Sequence, residues 1–236
     1  MGTLGNRSIL PVLAGLGVLN VIGTVAMTRA RRRGPAEPAP ETAPEPDGPL
    51  AGKATIVAVV AAFTLLQATN ATVMSIMTLY VTDDLGLALA WGGFTLGLAA
   101  LLEVPAFWVL GQLSLRFSSR ALLLSGCLAG IAFYLGLVFA RGPVALLALQ
   151  IPNAWFFAIV AGTGLTVFQD LIPRPGLATG MNMNSRRIGA IISGPIIALA
   201  AFDAVGYPGV FAVCAALTAV ALAIVVIALP SSPLRG

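Results

Sequence analysis

Histidine is absent from all 236 residues. That removes imidazole acid–base chemistry, histidine metal ligation and any Ser-His-Asp triad. Cysteine is nearly absent as well. Cys127 and Cys214 both lie in apolar runs, where a thiol behaves as a small buried hydrophobe, so neither a disulfide framework nor a zinc site is indicated. There is no Gly-x-x-x-x-Gly-Lys-[Ser/Thr] loop to bind ATP. Charge is scarce too, at 9% of residues, where soluble domains carry roughly a quarter. No catalytic residue, metal or cofactor is implied. What remains is apolar, 58% of the chain, and the expectation is an integral membrane protein. The 13 basic residues outnumber the 9 acidic ones, but they sit singly or beside apolar runs rather than along one polar face. This pattern argues for topology rather than nucleic acid.

A span of about 20 apolar residues crosses roughly 30 Å of hydrocarbon. Seven runs qualify, at approximately 9–28, 54–80, 89–113, 121–140, 144–168, 187–204 and 207–229. Between the first and second lies GPAEPAPETAPEPDGPLAG, residues 34–52, whose frequent prolines and four acids favour an extended loop. The expected organisation is a first membrane helix within 1–28, a Pro-rich cytoplasmic linker at 29–53, a six-helix unit at 54–229 and a tail at 230–236. An outside N-terminus and a cytoplasmic C-terminus place eleven basic residues inside, among them the Arg29–Arg33 cluster, Arg116, Arg120, Arg174, Arg186 and Arg187, against Arg7 and Arg141 outside. That is the bias of the positive-inside rule. It predicts a multi-pass protein of the inner, or plasma, membrane, with the lipid bilayer as its solvent.

The loop GQLSLRFSSR, residues 111–120, resembles the G-x-L-[SA]-D-R-x-G-R-[RK] loop of the major facilitator superfamily, in the copy that follows the family's eighth helix. Gly111, Leu113, Ser114, Arg116 and Arg120 coincide with it; Leu115 stands at the aspartate position, and Ser118 and Ser119 at the later Gly and Arg. YVTDDLGL at 80–87, LLEVPAF at 101–107, LQIPNAWF at 149–156 and FQDLIPRPGLATGMNMNSRRIG at 168–189 together resemble the bacterial sugar efflux transporters of that superfamily. The resemblance spans about residues 55–225. It implies an all-α helix bundle, the C-terminal six-helix half of a transporter plus one preceding helix, with the family's first five helices missing. It also implies a small-molecule substrate, a sugar or glycoside, and proton-coupled export. A missing N-terminal half or a second copy would be the partner. A multidrug or amphiphile exporter of the same fold, and a non-transporting truncated fragment or partner subunit, are the alternatives.

Polar side chains near the middle of spans are the candidate site. Gln67 centres the run 54–80, and Asn70 lies on nearly the same face. Glu103 falls just beyond the centre of 89–113, and Asn153 near that of 144–168, with Gln150 one turn outward. Such groups are costly in hydrocarbon unless they meet each other or water. Amides suit sugar hydroxyls and Trp155 offers a face for stacking; hydrogen bonding between helices is the plainer reading. Glu103 is the one acid deep in any span, so it is the candidate proton carrier, with a structural hydrogen bond or a substrate contact as alternatives. Asp170, with Arg174, Arg186 and Arg187 in the next inner loop, suggests a latch at the inner gate alongside Gly111, Arg116 and Arg120. A solvated loop charge is the simpler alternative.

Overall fold

The structure is a computed structural model and describes residues 51–229. The expected first span, most of the linker and the tail lie outside these residues. Helix α1 covers Lys53–Leu79 and runs on into a π-helical turn, Tyr80–Asp84. Gly86, at φ +62°, then reverses the chain in a conformation that side-chain-bearing residues rarely adopt. Helix α2 is Leu89–Leu113 and α3 is Ser119–Phe139. The Ser118 hydroxyl accepts from the Ala121 N–H and so caps α3. A short α4, Pro143–Ala148, leads through Leu149 into α5, Gln150–Leu171. Helix α6 is Pro175–Ala198, closed by a 3-10 turn at Leu199–Ala201, and α7 is Gly206–Ala228. No strand occurs among the described residues.

The chain therefore forms an all-α bundle. Among the described residues, five helical stretches are long and apolar enough to cross a membrane: Lys53–Asp84, Leu89–Leu113, Ser119–Phe139, Pro143–Leu171 and Gly206–Ala228. Helix α1 packs chiefly against α6 and α7, α3 against α5 and α7, and α2 against α5. Helix α2 buries the least of its surface. Phe63 of α1 and Phe168 of α5 meet at 5.4 Å between ring centroids. At the other end of α1, Tyr80 is edge-on to Phe211 of α7 at 4.8 Å and donates from its hydroxyl to the Leu137 carbonyl of α3 at 3.0 Å. The buried threonines need no partner helix. Thr69, Thr72, Thr163 and Thr218 each donate to a carbonyl three or four residues earlier, a local bond open to hydroxyls in any helix.

Two expected spans are corrected. The run 187–204 is the second half of a helix that begins twelve residues earlier, at Pro175. Its buried positions, Ala178, Asn182, Ser185, Gly189, Ser193 and Ile196, recur every three or four residues but, Ile196 apart, are small or polar. A search for apolar runs does not register them. Arg186 and Arg187 thus lie in the body of α6 rather than in a loop. The run 144–168 is the pair α4–α5, and its membrane stretch extends to Leu171. Gln150 and Asn153 consequently lie one residue farther from its midpoint than the apolar run implied.

Candidate functional site

A close helix contact that involves backbone atoms sits at Gln67. A Cβ built on Gly189 of α6 would lie 2.7 Å from Gln67 Cβ and 2.9 Å from both the Ala68 nitrogen and the Thr64 carbonyl oxygen. Only glycine lets α6 approach the α1 backbone this closely. A Cβ on Gly164 of α5 would meet Asn182 Oδ1 at 3.1 Å and Phe63 Cε1 at 3.2 Å. Gln67, Phe63, Asn182 and the two glycines therefore join three helices at one junction. Gln67 and Asn70 are half-buried there. Asn182, buried at 9% exposure, is a polar residue that the apolar-run reading missed, because it placed 182 in a loop. The three-and-four spacing of small residues from Ala178 to Ser193 is the signal that finds it.

The other candidates fall into separate places. Asn153 donates to Gln150 Oε1 at 2.9 Å, and Gln150 donates to the Leu146 carbonyl at 2.9 Å. Both residues are nearly inaccessible, at 6% and 1%. Their amides are thus joined within α4–α5, and the pairing bridges the break at Leu149 rather than crossing to another helix. The Trp155 indole N–H donates to Ser125 Oγ of α3 at 3.2 Å, which turns the ring toward α3. Glu103 is half-buried on α2, one turn from the exposed Phe107. Among the described residues it has no hydrogen bond or ion pair, and none links Gln67, Glu103 and Asn153 to one another.

Where α2 ends and α3 begins, Gly111, Ser114 and Ser119, with Thr166 of α5, line a cleft of ≈ 410 Å³. Arg116 is exposed in the α2–α3 loop. Arg120 reaches across to α7, donating from Nη2 to the Val226 carbonyl at 2.8 Å. Asp170 lies in the last turn of α5 and Arg174 just before α6. Of the arginines expected beside Asp170 in a latch, Arg174 stays in the α5–α6 turn, whereas Arg186 and Arg187 lie within α6. Those arginines lie roughly 17 Å along α6 from its start at 1.5 Å per residue, beyond the reach of a direct ion pair.

Residues 2–194 match the family described as Major Facilitator Superfamily. The chain belongs to that superfamily. Among curated proteins, this superfamily member is 39% identical over 162 residues to "Sugar efflux transporter A" of Escherichia coli, covering 68% of this chain and 41% of that protein. It is 37% identical over 139 residues to "Sugar efflux transporter B" of Salmonella typhimurium, covering 58% and 35%. A "Putative sugar efflux transporter" of Deinococcus radiodurans is 38% identical over 162 residues, covering 68% and 41%. The chain spans about two fifths of the length of these relatives. Family membership and the apolar helices make it a multi-pass membrane protein of a transporter superfamily rather than of an enzyme family.

Proposed function

We propose that this chain is the C-terminal half of an efflux permease that exports sugars or glycosides in exchange for protons across the inner membrane. The observation that carries the proposal is the run of relatives named sugar efflux transporters at 37–40% identity. The junction of α1, α5 and α6 supports it, because it places amides where two helices touch near their midpoints. In this reading Gln67, Asn70 and Asn182 hydrogen-bond sugar hydroxyls, Glu103 carries the coupling proton, and the Gln150–Asn153 pair and Trp155 shape the α5 wall behind them. The inner gate forms at the ends of α2, α3 and α5, around Gly111, Arg116, Arg120 and Asp170. Alternating access rocks one six-helix repeat against another, and the described helices account for one such repeat.

The test uses inverted vesicles containing this chain, alone and co-expressed with the N-terminal half of a sugar efflux relative. An imposed proton gradient is expected to drive accumulation of a radiolabelled glucoside, and a protonophore to abolish it. Uptake no greater than in vesicles without the chain would end the proposal.

A further inference from the structure

Helix α6 is long enough to span a bilayer, at 24 residues, yet it is absent from the stretches apolar enough to do so. Its depth follows from two neighbours. Gly189 abuts Gln67, which lies within about 2 Å of the midpoint of the Lys53–Asp84 stretch at 1.5 Å per residue. Arg186 is three residues before Gly189 and therefore about 4.5 Å from that level. Measured from the α5–α6 turn instead, Arg186 is roughly 17 Å along the helix, and half of a hydrocarbon core is about 15 Å. Both routes place a guanidinium near the middle of the membrane.

Its side of α6 is polar. Thr179, Asn182, Arg186 and Ser193, at spacings of three, four and seven, fall on one flank, while Leu177, Met181, Ile188 and Ile192 fall on the other. Arg186 is exposed on its flank, and no hydrogen bond or ion pair holds it among the described residues. A cation at this depth is costly in lipid and belongs to a water-filled cavity. Among the described residues Glu103 is the one acid at comparable depth, on α2, which makes no close packing with α6. Arg186 and Arg187 thus leave an excess of positive charge at mid-membrane.

We infer that Arg186 is a substrate-binding residue that takes a carboxylate, so that the transported class includes acidic sugars such as hexuronides. The inference rests on the export reading above and deepens it. A guanidinium and a carboxylate pair through two parallel hydrogen bonds, a geometry a neutral hydroxymethyl group cannot match.

Two conjugates that differ only at C6, p-nitrophenyl β-glucuronide and p-nitrophenyl β-glucoside, isolate this contact. In the vesicles described above, Arg186→Gln is expected to lower glucuronide uptake by about tenfold, the size of a lost charge-assisted bond, and to leave glucoside uptake within about twofold. Arg186→Lys, which keeps the charge but not the fork, should fall between. Equal losses for both conjugates, or no loss for either, would overturn the assignment. Thermal stabilisation of the purified chain by each conjugate provides a second reading, independent of transport. If neither conjugate is moved but the glucuronide stabilises the wild type and not Arg186→Gln, the export reading fails and the Arg186 site stands. If stabilisation by the glucuronide is the same in both proteins, the site is refuted.

Discussion

Glu103 shows how much one side chain can be asked to decide. It has no hydrogen-bonding partner among the described residues and sits beside an exposed apolar surface on α2. Proton carrier, substrate contact and structural hydrogen bond are the roles to separate. Glu103→Gln preserves shape and hydrogen bonding but cannot titrate. If the carboxyl carries the coupling proton, the variant should lose gradient-driven export and retain downhill exchange of labelled sugar. Retention of gradient-driven export at the wild-type rate would dismiss that role, and loss of both activities would make Glu103 a substrate contact. Tyr80 offers a simpler case. It is fully buried, and its hydroxyl donates to the Leu137 carbonyl. Tyr80→Phe leaves that carbonyl without its side-chain donor and should cost about 1 kcal/mol, read as a lower melting temperature in detergent.

Among the helices, legibility followed apolarity. The boundaries of α2 were readable from hydropathy alone, and those of α1, α3 and α7 to within a residue or two, because each faces apolar surroundings along most of its length. Helix α6 was not, because it buries glycine, serine and asparagine and exposes two arginines, so only its second half reads as membrane. The candidate site was readable to the same degree. Gln67 was found at the α1–α6 contact, whereas Asn182, its neighbour across the junction, lay in a stretch taken for loop. Trp155 shows the complementary limit. Its position in the run was clear, but which neighbour its N–H would meet depended on the packing of α5 on α3. The α1–α6 contact itself can be tested. Gly189→Leu forces a side chain into the α1 backbone at Thr64–Ala68 and is expected to destabilise the bundle by about 1–3 kcal/mol. Gly93→Leu, at an open position on α2, serves as the control and should leave the melting temperature within a degree or two of wild type. An equal effect of both substitutions would mean that the junction is not close-packed.

For the whole molecule, orientation is the property most directly checked. Cys127 and Cys214 are both fully buried, so a cysteine introduced on the surface can be read without removing either. Leu115→Cys, in the α2–α3 loop, is expected to react with an impermeant maleimide only from the cytoplasmic side, and Asp84→Cys, at the end of α1, only from the opposite side. The reverse pattern would invert the topology and with it the assignment of the inner gate.

The contact at Gly189 has a mechanical consequence at this scale. Ala68 stands fifteen residues from Lys53 and sixteen from Asp84, and Gly189 fourteen from Pro175 and twelve from Ala201. The close approach therefore lies near the middle of both helices, with about 20 Å of each on either side at 1.5 Å per residue. A tilt of roughly 10° about such a point carries each end about 3–4 Å, in opposite directions. Such a tilt would narrow the space between the helices at one end and widen it at the other, with Gly189 and Gln67 at the pivot.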